Sequence, residues 1–165
     1  MSTHHIEMSL NGLRCAGEVE ARVSLADFLR DDAGYTGVHL GCEHGVCGAC
    51  TVQVDGLAVR SCLYLAVQLD GRRIDTIEGL ANADGSFGIL QQAFHENFAL
   101  QCGFCTPGFL TTLNHYLQKN ANPTEVELRE ALSGNMCRCT GYAEIIRAAL
   151  IAAERLRERT SRNAK

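Results

Sequence analysis

Eight of the nine cysteines in this 165-residue chain form two groups of four, and any fold must gather each group. The first runs Cys42-x4-Cys47-x2-Cys50 and is completed by Cys62 after eleven residues; the second is Cys102-x2-Cys105 followed, after thirty-one, by Cys137-x-Cys139. Four thiolates around two irons ligate a [2Fe–2S] cluster, and C-x4-C-x2-C…C is one of its spacings. Three thiolates within nine residues converge only if the backbone curls, and Gly41, Gly45 and Gly48 are expected to supply the positive φ angles this needs. The same curl turns N–H groups toward the sulfurs, which offsets cluster charge. Cys62, at the end of a hairpin strand, closes the site from the sheet.

In the second group, Cys102 and Cys105 precede a helix expected near Pro107, and Cys137 and Cys139 one expected near Ala143. Helix N-termini carry partial positive charge and spare N–H donors, which suits an anionic cluster. Arg138 either adds to this or faces solvent. Zinc also takes four thiolates but favours paired C-x2-C knuckles. Disulfides need an oxidising compartment, and nothing in the first twenty residues reads as an export signal. A Rieske centre needs C-x-H and C-x-x-H; Cys42-Glu43-His44 supplies only the first, so His44 reads as a loop residue. Cys15 reads as a small apolar packing residue. His4, His5, His39, His95 and His115 have no mutual metal spacing, and there is neither a P-loop nor GxGxxG. No acid–base or nucleophilic constellation is evident, so no residue is assigned a catalytic role.

A net charge of −4 argues against nucleic-acid binding, which wants a basic face. The Arg-rich end (Arg155, Arg157, Arg159, Arg162, Lys165) reads as a solvated helix end and a loose tail. No segment is long and apolar enough to span a membrane, and the expected location is cytoplasmic. The length suits one domain or two small ones, each marginal without a staple that a cluster would supply.

Residues 3–10 and 17–23 are predicted strands joined through Asn11-Gly12. Ser24 is expected to cap a helix over LADFLRDD that ends at Ala33-Gly34. Residues 36–50 read as loop, TVQVDGLAVRSC as a hairpin turning at Asp55-Gly56, and 72–77 as a last strand. This order suits a β-grasp sheet. Beyond 78–85 the apolar spacing becomes helical. Phe87, Leu90, Phe94 and Phe98 form one stripe; Phe109, Leu113, Tyr116 and Leu117 the next; Val126, Leu128 and Leu132 a third; and Ile145, Ile146, Ala149, Ala153 and Leu156 the last. Asn122-Pro123-Thr124-Glu125 resembles a cap with Pro at the first helical position. Four helices of eleven to sixteen residues predict a bundle. Cys105-Thr106-Pro107-Gly108-Phe109 echoes Cys139-Thr140-Gly141-Tyr142, which suggests pseudo-twofold helical hairpins with a cluster between their turns. Leu65, Val67, Leu69 and Ile89 are expected to face outward and to feed an interface with partner chains.

With GCEHGVCGACTV (Gly41–Val52), QCGFCTPGF (Gln101–Phe109) and NMCRCTGY (Asn135–Tyr142) placed, the chain resembles the iron–sulfur subunit of the molybdenum hydroxylases, the xanthine oxidase family. The resemblance runs from the first strand to about Leu156. It implies an α+β chain: a plant-ferredoxin-like β-grasp domain over 1–79 and a four-helix bundle over 80–165, each holding one [2Fe–2S] cluster. It also implies a large partner subunit with molybdopterin, often the cytosine dinucleotide form, a medium subunit with FAD, and a dimer of heterotrimers. The cluster on Cys102, Cys105, Cys137 and Cys139 is then nearer the pterin, and that on Cys42, Cys47, Cys50 and Cys62 nearer the flavin. Gln101 matches the position that contacts the pterin, with Cys139 on the same side. The implied function is a relay of single electrons from molybdenum to flavin. A reductive dehydroxylase running the relay in reverse and a zinc-stabilised interaction module remain as alternatives. The substrate pocket lies in another polypeptide.

Overall fold

Asn11-Gly12 reverses the chain with both residues at positive φ, 50° and 80°, a two-residue turn whose twist matches that of paired strands. The computed structural model describes residues 2–163. The turn sets an antiparallel register from Leu10↔Leu13 to Thr3↔Glu20 between β1 (Thr3–Leu10) and β2 (Leu13–Glu20). The second strand thus starts at Leu13 rather than at 17, directly after the turn. Ile6, Met8 and Leu10 alternate into the core, as the period of two requires. A second such turn, Asp55-Gly56 at φ 49° and 82°, joins β3 (Thr51–Val54) to β4 (Leu57–Arg60). β5 (Arg73–Asp75) pairs parallel to β1 and antiparallel to β3, which gives a mixed sheet ordered β2-β1-β5-β3-β4.

Ser24 caps α1 (Leu25–Asp27), its hydroxyl accepting the Asp27 N–H at 3.1 Å. The helix expected over LADFLRDD then widens into a π turn, Phe28–Asp32, which buries Phe28 and Leu29 against the sheet core. Cys15 is half-buried and packs on that same core, as expected of a small apolar side chain.

Four further helices, α2 (Ile89–Glu96), α3 (Thr106–Lys119), α4 (Glu125–Ala131) and α5 (Ala143–Asn163), enclose a second core around Phe94, Phe109, Leu113, Leu128 and Ile145. The α+β class stands, but helix lengths of 8, 14, 7 and 21 residues replace the uniform eleven to sixteen. α2 is short because Phe98 takes a left-handed φ of 52°. There the Ala99 N–H reaches Phe94 O at 3.0 Å and the Phe98 N–H reaches His95 O at 3.4 Å, a Schellman-type end. Phe98, expected on a buried stripe, therefore stands 81% exposed; Phe87 of the same stripe, which precedes the helix, is 52% exposed, and Val126 also turns outward. Thr124 caps α4 with Glu127 reaching back, so Pro123 precedes the cap instead of opening the helix. α5 continues through the Arg-rich segment: Arg155 pairs with Glu96 at 2.7 Å, and Arg157 donates to Ala121 O at 2.8 Å. The tail containing Lys165 lies outside the described residues. Among the residues expected to face outward, Leu69 is buried, Val67 and Ile89 are half-buried on the two cores, and Leu65 is exposed. Among the described residues no helix is long and apolar enough to cross a membrane.

α3 packs on β3, and the seam runs through the cysteine loops. Gly48 O accepts from Thr51 Oγ1 at 2.6 Å and from Asn135 Nδ2 at 3.3 Å. Cys47 O accepts the Met136 N–H at 2.9 Å. Arg60 reaches across to Gly134 O at 2.7 Å, and His115 Nδ1–H donates to Gly56 O at 2.7 Å. A Cβ on Gly108 would sit 2.1 Å from Gly48 O, so only glycine lets α3 approach this closely. Alanine in a helix interior normally gains up to about 1 kcal/mol over glycine. Gly108→Ala is instead expected to destabilise the protein by about 1–3 kcal/mol through overpacking, read as a lower denaturant midpoint.

Candidate metal centres

Two tight turns and a curled loop deliver the first quartet. Glu43, Gly45 and Gly48 hold φ of 57°, 84° and 73°, so the curl is built partly on a non-glycine residue. Gly41 is not among the left-handed residues; it is kept small because a Cβ there would lie 3.3 Å from both Cys47 Sγ and the Phe104 ring. Cys50 is buried just before β3, and Ser61 clasps its carbonyl with the hydroxyl at 2.7 Å and the N–H at 3.3 Å. Cys62 follows in a 3₁₀ turn, Ser61–Leu63, beyond the strand rather than at its end. His44 turns its ring onto the Cys42 carbonyl.

The thiols meet in pairs. Cys42 lies against Cys47 and Cys50 against Cys62, and Cys62 also feels the charge of Cys42. In the second quartet Cys105 lies against Cys137, and Cys139 Sγ stands 3.5 Å from Cys102 Sγ. Among the described residues no three His, Cys, Asp or Glu side chains converge on a single ion position. Two sulfurs per iron, twice over, is the donor arrangement a [2Fe–2S] cluster takes, and both quartets fit it.

The surroundings set the thiol acidities. The Cys47 N–H, 3.3 Å from Cys42 Sγ, and the His44 N–H pull the Cys42 thiol down to about 6. Burial, reinforced by Cys50, pushes Cys62 up to about 11. Burial, reinforced by Cys137, pushes Cys105 up to about 12. Burial acts to raise Cys137, but the Thr140 hydroxyl at 3.1 Å and N–H at 3.5 Å, the Cys139 N–H and the Cys105 thiol together outweigh it, and the net shift is downward. The Cys102 contact raises Cys139. Crowded thiols resist joint ionisation, and bound metal charge removes that resistance.

The helix ends fall where expected, since α5 opens at Ala143, while Cys105 itself occupies the cap of α3 with Pro107 in its first turn. Arg138 is exposed. Cys102 and Cys139 lie at the surface with Gln101 beside them, whereas Cys50 is enclosed. Thr140 and Tyr142, whose hydroxyl accepts the Cys137 N–H at 2.9 Å, were not singled out by sequence reasoning. Their place in the NMCRCTGY run and in the internal echo pointed to the segment but gave neither residue a role. His39, read as ordinary, stacks on Phe104 with ring centroids 4.9 Å apart.

Residues 9–81 match the family model of the 2Fe-2S iron-sulfur cluster binding domain, and residues 76–150 that of the [2Fe-2S] binding domain. The chain is 56% identical to caffeine dehydrogenase subunit gamma of Pseudomonas sp. (strain CBB1), over 90% of each chain. It is 43% identical to the xanthine dehydrogenase iron-sulfur-binding subunit of Escherichia coli O157:H7, over 88% of this chain and 91% of that subunit. This chain belongs to the small iron–sulfur subunits of the molybdenum hydroxylase and xanthine dehydrogenase family. A chain in the crystal structure of quinoline 2-oxidoreductase from Pseudomonas putida 86 shares its fold with a TM-score of 0.91 at 47% identity. That match covers 94% of this chain and 97% of the other.

Thr140→Val removes one hydrogen bond to Cys137 sulfur at nearly constant shape. Such a bond is worth about 1 kcal/mol, or roughly 40 mV for one electron. The midpoint potential of the second centre is expected to fall by that order, with the first centre unmoved, in an EPR-monitored titration.

Proposed function

We propose that this chain is the electron-relay subunit of a molybdenum- and flavin-containing hydroxylase, acting in the cytoplasm. A [2Fe–2S] cluster supplies one-electron redox chemistry. Cys42, Cys47, Cys50 and Cys62 hold one such group, and Cys102, Cys105, Cys137 and Cys139 the other. The chain divides at 79/80 into a β-grasp domain and a four-helix bundle, one for each.

The observation that carries the reading is the link between two paired-sulfur quartets. The Cys47 carbonyl accepts the N–H of Met136, the residue next to Cys137. A ligand of one quartet is thereby joined to a ligand of the other through one hydrogen bond and a short run of backbone. This is a route for charge that needs no substrate site on the chain.

The uneven exposure of the quartets supports an order. Cys102, Cys139 and Gln101 open to the surface, with exposed Phe98 and Met136 close to them in sequence. A large subunit carrying molybdopterin, as its cytosine dinucleotide, meets this rim, with Gln101 contacting the pterin. Val46, Leu63, Tyr64 and Leu65 are exposed apolar residues close in sequence to the first quartet, where a medium subunit carrying FAD docks. Exposed apolar side chains around both redox sites mark surfaces that partner chains cover. The assembly is a dimer of such heterotrimers.

Loaded protein is expected to contain about four irons and four acid-labile sulfides; zinc without sulfide overturns the reading. Cys105→Ser is expected to abolish one EPR signal, keep the other, and stop turnover of the complex. Full activity in that variant contradicts the relay.

A further inference from the structure

We propose that Phe104 and His39 form an aromatic clamp that seats the second quartet's ligand loop on the first quartet's loop, with Phe104 as a positioning residue that shields the first centre. The inference rests on the reading of both quartets as [2Fe–2S] sites.

Phe104 stands between Cys102 and Cys105, yet its ring lies over the other quartet's loop. The imidazole of His39, three residues before Cys42, stacks on it with centroids 4.9 Å apart and planes 20° from parallel. His39 Nδ1–H donates to Phe104 O at 2.7 Å, so ring and backbone of one residue are held by a single side chain. Beyond the stack lies Gly41. A Cβ built there would meet Phe104 Cε1 at 3.3 Å and Cys47 Sγ at 3.3 Å. Phe104 and a ligand sulfur of the first quartet thus border the same small space, and glycine at 41 is what lets them close on it. Gly41 has no left-handed φ to explain its glycine.

The placement has two physical consequences. An apolar ring beside Cys47 sulfur excludes water from that side of the first centre. Reduction adds one negative charge, which water stabilises, so the ring holds the first potential below its solvated value. The clamp also adds a further tie between the quartets, on loop residues other than the Cys47–Met136 and Gly48–Asn135 hydrogen bonds, and so restrains their relative position. About half of the Phe104 surface remains accessible, at 46%, so its removal opens a path for water without emptying the core.

The test uses the cluster-loaded complex with Phe104→Ala, Phe104→Leu, His39→Ala and the Phe104→Ala/His39→Ala double variant. Three properties are read: the two midpoint potentials, spin–spin splitting between the reduced centres, and iron release to a ferrous chelator. Phe104→Ala is expected to shift the first centre's potential upward, speed its iron loss and weaken the splitting. His39→Ala should do the same to a lesser degree. The double variant should resemble Phe104→Ala alone, because the pair acts as a unit. If Phe104→Ala fails to assemble, Phe104→Leu and His39→Ala carry the comparison, with smaller shifts of the same sign. A change confined to the second centre, or an unmoved first centre, overturns the clamp. Iron and sulfide in the parent complex separately test the cluster reading: a parent without sulfide overturns that reading, whereas a fully loaded parent with unmoved variants overturns the clamp alone.

Discussion

Everything in this molecule is arranged about the contact of Gly48 with Gly108. The Gly48 carbonyl caps Thr51 at the head of a strand, accepts from Asn135 near the second quartet, and lies where a Cβ on Gly108 would intrude. Glycine serves two different ends at this point. At 48 it supplies a φ of 73° for the curl; at 108 it supplies empty space beside a helix. The loop that carries Cys42, Cys47 and Cys50 is thereby also the surface on which the other half of the chain is seated.

That economy explains the polar pattern of the seam. A buried interface between two small cores needs its backbone groups satisfied. Arg60, His115, Asn135 and the Met136 N–H do this by reaching from one half to carbonyls of the other. Sulfur environments grade across the same region. Cys50 is enclosed beside the sheet, while Cys102 and Cys139 lie at the surface. Burial disfavours added charge, and N–H and hydroxyl donors such as Cys47 and Thr140 favour it. The fold therefore sets a different electrostatic environment at each quartet with ordinary side chains.

Local rules recovered most of the elements. Asn11-Gly12 and Asp55-Gly56 placed both hairpins because the left-handed φ angles they require are readable from residue type. Helical periodicity located α3 and α5 but overran α2 and misassigned Phe87, Phe98 and Val126 as buried. Periodicity reports which residues share a helix face; it does not report where the helix stops or whether anything covers that face. Gly41 was assigned to backbone curvature because residue type alone does not distinguish a glycine needed for φ from one needed for room.

Cysteine spacing by itself predicted two groups of four sulfurs and named the side chains in each, because ligand reach along a chain is short and specific to the chemistry. Tertiary structure decided how the sulfurs pair, how deeply each quartet is enclosed, and that the loop of one carries an aromatic ring to the loop of the other. The last of these depends on contacts between residues sixty or more positions apart, such as His39 with Phe104 and Cys47 with Met136. Only packing of the helices against the sheet brings such residues together.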